Sequence, residues 1–326
     1  MKKKNKMSLL KMIGFFLLFI ILISLLWFIS HQAMNIYEKN YYPPIGQLVR
    51  VDGDRMHVYT KGEGENTIVL LPGLGTTAPA LDFEPLVDEI SKQHRVVIVE
   101  PFGYGWSDIT NKERTVENIV EEIRFALQKA NIEGPYILMP HSISGIYSVY
   151  YSNKYPDEIE AVIGIDATLP KATAYFNEDL PAMPSIMRYV APTGVARLLL
   201  YIEADAYLPL AETGTYTEEN LQKTKVISAW KAYNKNVVDE ANELNNNIDK
   251  TDNLSFPIDM PVLFFTTKKD NVNDEGKSNV TFYQSQLTKC PLSKIVTIEG
   301  HHYLHWTHYK EMSVEVNEFT ESFNDK

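Results

Sequence analysis

The chain has 326 residues and a net charge of −11, with 44% hydrophobic and 22% charged residues. This globular composition excludes a wholly disordered, collagen-like or coiled-coil protein. Five lysines and no acid fall in residues 1–30, so the remainder carries −16; a body that acidic, without an arginine-rich stripe, has no electrostatic reason to bind nucleic acid. The single cysteine, Cys290, excludes an internal disulfide and a thiolate zinc site.

Met12–Ile29 is an uncharged, mostly apolar run of 18 residues. As a helix it spans about 27 Å, close to the ~30 Å hydrocarbon core of a bilayer. Lys2, Lys3, Lys4, Lys6 and Lys11 precede it, and Trp27 stands at its far end as an interfacial aromatic. The positive-inside rule therefore predicts a cytoplasmic basic tail over 1–11, a transmembrane anchor over 12–30 and an extracytoplasmic remainder. A cleaved signal peptide is the competing reading, although its apolar core usually runs only about 7–15 residues. Residues 31–46, ending in Pro43-Pro44, read as a tether.

From residue 47 the chain alternates short β-branched runs with amphipathic helical patterns, as in a mainly parallel sheet covered on both faces. Gln47–Val51 and Met56–Thr60 flank a hairpin turn at Asp52-Gly53, followed by strands at Thr67–Leu71, Arg95–Val99, Tyr136–Met139, Ala161–Ile165, Val262–Thr266 and Lys294–Ile298. Val116, Ile119, Val120, Ile123 and Leu127 keep helical spacing over 115–130; further helices are expected from Ser144 and over about 310–323. Residues 169–257 break the rhythm with helical patterns around Met187–Ile202 and Glu218–Leu244. An insertion of that length reads as a helical lid, with the sheet domain formed by 47–168 and 258–326. Its aromatic residues, among them Tyr175, Phe176, Tyr189, Tyr201, Tyr207, Trp230 and Tyr233, either line an apolar pocket or pack the lid onto the body.

The segment ILMPHSISGI, 137–146, carries the chemistry. An apolar strand runs into His141-Ser142-Ile143 and then into a helical pattern. A serine on such a corner projects its hydroxyl above the sheet at the positive end of the helix. Positions two before and two after must be small; here they are Pro140 and Ser144, with Gly145 next, a variant of GxSxG.

Four blocks in order, covering about residues 47–326, resemble the α/β-hydrolase family. LLPGLGTT at 70–77 resembles its strand-HG loop, with Pro72 where histidine is common. VVIVEPFGYGWSD at 96–108 is similar to its strand and D-x-x-G-x-G-x-S, with Glu100 as the acid. The serine corner is the third block, and IVTIEGHHYLHWT at 295–307 resembles its final strand and GH loop. The resemblance implies Ser142 as nucleophile, His302 as base with His301 as the alternate, and Asp270 as the acid. Asp166, ending the strand in GIDAT, is the alternate acid and Asp274 a more distant one. It also implies an oxyanion hole from the backbone amides of Leu74 and Ile143, with Gly73 and Gly75 allowing close approach.

The fold expected is α/β-hydrolase, and the function a membrane-anchored extracytoplasmic serine hydrolase. It would act on a small-molecule ester, thioester or amide through an acyl-Ser142 intermediate, with no cofactor. An aminopeptidase-type hydrolase is an alternative, and a catalytically silent ligand-binding module on the same scaffold another. The histidines at 301, 302, 305 and 308 lack the companion carboxylates of a metal motif, so no metal is expected.

Overall fold

The computed structural model describes residues 9–178, 180, 182–203, 205, 208–267, 272 and 275–323. Helix α1, Leu9–Tyr41, leads into strands β1, Gln47–Val51, β2, Asp54–Lys61, and β3, Thr67–Leu71. Helices α2, Pro79–Asp82, and α3, Glu84–Ile90, precede β4, Arg95–Glu100; α4, Val116–Lys129, precedes β5, Tyr136–Pro140; α5, Ser144–Lys154, precedes β6, Ile159–Ile165. Between β6 and β7, Val262–Thr267, lie α6, Ala172–Phe176, a 3₁₀ turn at Ser185–Tyr189, α7, Val195–Ile202, α8, Glu218–Lys231, and α9, Lys235–Thr251. The chain closes with α10, Asn279–Gln286, β8, Lys294–Ile298, α11, Leu304–Thr307, and α12, Tyr309–Glu321.

The strands form one eight-stranded sheet in the order β1-β2-β4-β3-β5-β6-β7-β8. β1, β2 and β4 pair antiparallel, and all pairings from β4 onward through β8 are parallel. The sequence accounts for this division. Asp52 and Gly53 both have positive φ, +52° and +95°, the backbone a two-residue hairpin demands. By contrast β3, β5 and β7 are buried at every position, because helices cover both faces of a parallel sheet. Alternate residues feed two cores: Val69, Leu138, Val162 and Phe264 pack with α4 and α5, while Ile68, Leu70, Ile137, Met139 and Phe265 pack on the other face with α3 and α12. Thr115 caps α4 by accepting from Asn118 N.

The helical pattern read through Glu218–Leu244 is broken. Ala232–Asn234 separates α8 from α9, with Tyr233 at φ +52°, because Asn234 caps α9 at Asn236 N and donates through Nδ2 to Gly103 O. Helix α9 is fastened to the sheet domain by amides. Asn236 accepts from Thr110 N at 2.9 Å and donates to Thr110 O at 2.8 Å; Asn247 accepts from Val116 N at 2.7 Å and donates to Arg114 O at 3.0 Å. These buried side chains replace strand-like pairing for loop backbone that would otherwise be orphaned.

Residues 31–41, read as a tether, are instead the end of α1. That helix is long and apolar enough to cross a membrane, and fits a single-pass anchor. Its continuation is helical because it has something to pack on. Arg197 of α7 donates to both oxygens of Glu38 at 2.6 Å, to Asn35 Oδ1 at 2.8 Å and to His31 Nδ1 at 3.2 Å, while Trp230 Nε1 donates to Glu38 Oε2 at 2.8 Å. A Cβ on Gly194 would fall 2.8 Å from Trp27 and His31, so only glycine admits α1 there.

If the amide fastening matters, Asn236→Ala, which strands a buried N–H and C=O, should lower unfolding stability by about 2–4 kcal/mol. The exposed Asn246→Ala should change it by less than about 0.5 kcal/mol in the same denaturant titration.

Candidate active site

β5 delivers the chain to His141, whose N–H donates to Leu71 O, and then to Ser142 at φ +52°. A left-handed non-glycine residue costs on the order of 1–3 kcal/mol and persists only where its surroundings over-determine it. Here Ser142 N donates to Ile165 O at 3.2 Å, and Ser142 O accepts from Gly145 N at 3.0 Å and Thr168 N at 2.8 Å. A side chain at Gly145 would meet Thr168 O at 2.5 Å, so this glycine lets α5 approach the loop after β6. Ser144, standing at the second small position, donates its hydroxyl to Pro72 O at 2.5 Å. Serine rather than glycine there ties the corner to the loop after β3.

That loop reaches Ser142 through glycine as well. A Cβ on Gly73 would lie 2.8 Å from His141 Nδ1 and 3.1 Å from Ser142 Cβ. Among the described residues neither Leu74 N nor Ile143 N donates a backbone hydrogen bond, leaving both free for a negative oxygen. Gly75, at φ +77°, donates its N–H to Tyr104 Oη at 3.2 Å; Tyr104 in turn donates to Glu240 Oε2 at 2.8 Å, and Tyr147 donates to Glu240 Oε1 at 2.7 Å. Burial raises the Glu240 carboxyl above its ordinary value, against the hydrogen bonds of the two tyrosines and the charge of Arg114. Helix α9 thus reaches the loop through one buried carboxyl. Glu100, at the family's aspartate position, accepts from Ala80 N and Trp106 N and lies 3.0 Å from His57 Nδ1, holding the turn after β4.

Asp166 follows β6, also at positive φ, +39°. Its Oδ2 is 2.7 Å from His302 Nδ1, and its Oδ1 accepts from Thr266 Oγ1 at 3.2 Å. The structure therefore brings the alternate acid to the first-choice histidine; Asp270, Asp274 and, in the insertion, Tyr207 lie outside the described residues. With Nδ1 held by the carboxylate, His302 presents Nε2 as its unengaged nitrogen. No hydrogen bond joins Ser142 Oγ to His302 among the described residues, an open geometry common in unliganded hydrolytic sites. His301 has its Nδ1 occupied by Tyr303 N at 3.0 Å.

Several neighbours have no signature in the sequence. His141 is fully buried and donates from Nε2 to His302 O at 3.2 Å, with the two rings 4.7 Å apart. Burial, then the nearby His305 and His302, holds His141 well below the ordinary histidine value. Behind it His305 Nε2 meets Asp82 Oδ2 at 2.7 Å, and Trp306 Nε1 donates to Asp82 Oδ1 at 2.9 Å. His308 is engaged by Thr307 Oγ1. The four histidines at 301, 302, 305 and 308 thus each have a separate partner.

Two cavities flank the serine corner. One of 440 Å³ is bordered by Leu74, Gly75, Tyr303 and Trp306 and by Leu199 and Ile202 of α7. The other, of 210 Å³, is bordered by Asp166, His302, Phe176 and Phe282. Of the insertion's aromatic residues, Tyr233 lines the first cavity and Phe176 the second.

A neutral buried His141 has a consequence for pH. The unfolded chain takes up a proton on this imidazole below about pH 6.5 and the folded chain does not, so its contribution is present above that pH and is lost as acid is added. The slope of stability against pH between 7 and 5 should therefore fall by about one proton in His141→Gln, read from denaturation midpoints.

The α/β-hydrolase fold family matches residues 66–309. The uncharacterized protein YbdG of Bacillus subtilis (strain 168) is 32% identical over 263 residues, covering 79% of this chain and 78% of that protein. Serine hydrolase BPHL of Mus musculus is 29% identical over 139 residues, 40% of this chain and 44% of that one. Among solved structures, epoxide hydrolase VrEH1 from Vigna radiata superposes with a TM-score of 0.65 at 18% identity, covering 85% of this chain and 97% of that one. With the eight-stranded sheet and the strand-turn-helix corner, these matches make the chain a member of the α/β-hydrolase family.

Proposed function

We propose that this protein is a membrane-anchored serine hydrolase that cleaves a carboxylic ester, thioester or amide, with Ser142 as nucleophile, His302 as base and Asp166 as the acid that orients it. The observation that carries the reading is the left-handed Ser142 at the β5–α5 corner, next in chain to a histidine that packs on His302, itself 2.7 Å from Asp166. In this reading Ser142 Oγ attacks the acyl carbon as its proton passes to His302 Nε2. The carbonyl oxygen gains negative charge between Leu74 N–H and Ile143 N–H. The leaving alcohol, thiol or amine departs with the proton from His302, and the acyl-serine is then hydrolysed by water activated at the same nitrogen. Asp166 keeps the proton on Nδ1 and stabilises the imidazolium without becoming protonated.

The name of the Mus musculus relative speaks for a serine hydrolase; the likeness to VrEH1, at 18% identity, bears on the fold alone. The insertion acts as a cap over the two cavities, the larger of which takes the acyl chain. The lysines before α1 put the catalytic domain on the extracytoplasmic side. The packing of Trp27 and Glu38 against the insertion favours an anchor that is retained.

Labelling by a fluorophosphonate probe tests the assignment. Wild type and His301→Ala should label, and Ser142→Ala and His302→Ala should not. Asp166→Asn should lose about 10³–10⁴-fold in kcat with its fold intact, by the logic of the triad, while Asp270→Asn stays within about threefold of wild type. Loss in Asp270→Asn alone would move the acid to that residue. A well-folded wild type that does not label would make the protein a ligand-binding module.

A further inference from the structure

Helix α7 turns its apolar side chains the wrong way for a helix packed on a soluble domain. Only Ala196 and Arg197 are buried. Val195, Leu198 and Leu199 are 41–42% exposed, Tyr201 66% and Ile202 82%. The turn before it adds Ile186 at 70% and Tyr189 at 56%. A patch of this size on one short segment marks a surface that meets something apolar.

What it meets is indicated by where α7 is held. Arg197, buried, is bonded to His31, Asn35 and Glu38 of α1, and a Cβ on Gly194 would lie 2.8 Å from Trp27. Trp27 lies within the apolar run that ends at Ile29. His31 and Glu38 are therefore about 3 and 13 Å beyond its end along the helix. The headgroup layer of a bilayer is about 5–7 Å deep on each side. A helix clamped to α1 over this interval starts beside that layer, at Gly194 and His31, and ends several ångströms beyond it, at Glu38. Both arginines of the segment are committed, Arg197 to Glu38 and Arg188 to Asp239. The surface thus has apolar area and aromatic residues to offer, not free cations, which fits a zwitterionic lipid surface. Leu199 and Ile202 also border the 440 Å³ cavity beside Leu74, so the same helix that faces the lipid forms the cavity wall.

We infer that α7 and the 185–189 turn form an interfacial surface resting in the leaflet that α1 leaves, and that a long-chain acyl ester dissolved in that leaflet enters the cavity past Leu199 and Ile202. This rests on the anchor and serine-hydrolase readings above. A phospholipid bilayer is the partner, and its acyl-bearing esters are the substrate class.

The full chain, carrying Cys290→Ser, is reconstituted in phosphatidylcholine vesicles with an environment-sensitive fluorophore at one introduced cysteine. Lipids spin-labelled at the headgroup or mid-chain serve as quenchers. Phe19→Cys should be quenched from mid-chain, Tyr201→Cys from the headgroup, and Val314→Cys, on the exposed face of α12, by neither. If Tyr201→Cys behaves like Val314→Cys while Phe19→Cys is quenched, the anchor stands and the surface does not, including the case in which a second copy covers α7. If Phe19→Cys is not quenched, the anchor reading itself fails. For the substrate, the double variant Leu198→Asp, Tyr201→Asp should hydrolyse a water-soluble butyrate ester at the wild-type rate and a vesicle-borne palmitate ester about tenfold more slowly or worse, as expected for lost interfacial contact. Equal rates on both substrates in wild type and variant would overturn entry from the leaflet. A wild type inert to both esters and to the fluorophosphonate would locate the failure in the serine reading, leaving the quenching result to decide the surface.

Discussion

The left-handed backbone of Ser142 is the constraint on which the arrangement depends. An L-residue at φ +52° does not stay there by preference. Its carbonyl is held by Gly145 N and Thr168 N and its amide by Ile165 O. Those contacts require β6 to lie beside β5, and require that nothing larger than glycine stands at position 145. They also bring the loop after β6, and with it Asp166, to the serine corner. The same crossing that strains Ser142 therefore sets the acid of the His302 pair. Gly73 and Ser144 close the other side by bringing the loop after β3 against the corner.

A second level of order comes from buried polar groups. Glu240 collects two tyrosine hydroxyls, one of which also receives Gly75 N–H, and Asn234, Asn236 and Asn247 each bond backbone of the 103–116 stretch. Each such group is costly to bury alone and stabilising only when fully paired. The effect is that α9, although it belongs to the insertion, is joined to the sheet domain as firmly as a core helix. The loop that would receive an oxyanion rests on it. The insertion is consequently of two kinds: α9 is pinned by polar groups to the sheet domain, while Arg197 of α7 bonds α1.

Much of the sheet was legible because strand burial writes itself into sequence. Runs such as TIVLL and VLFFTT can only be strands covered on both faces, and Asp52-Gly53 can only be a tight hairpin. The serine corner was legible too, since the demand for small residues around it is local. The helical pattern over Glu218–Leu244 does not reveal the break at Ala232–Asn234, because that break is made by Asn234 reaching Gly103, which lies 131 residues away. The helical course of residues 31–41 was hidden for the same kind of reason: they have no apolar periodicity to announce a helix, yet Arg197 bonds three of them.

By itself, then, the sequence determined the strand set, the family resemblance, the apolar α1 and the serine, because each depends on spacing within a dozen residues or on composition. Tertiary structure alone brings Asp166 to His302, since the two are 136 residues apart and meet only because β6, β7 and β8 are neighbours in parallel register. It also decided that His141, His305 and Asp82 lie behind the site and that α7 is clamped to α1. Those contacts depend on how elements cross in space, and no local pattern of residues encodes a crossing.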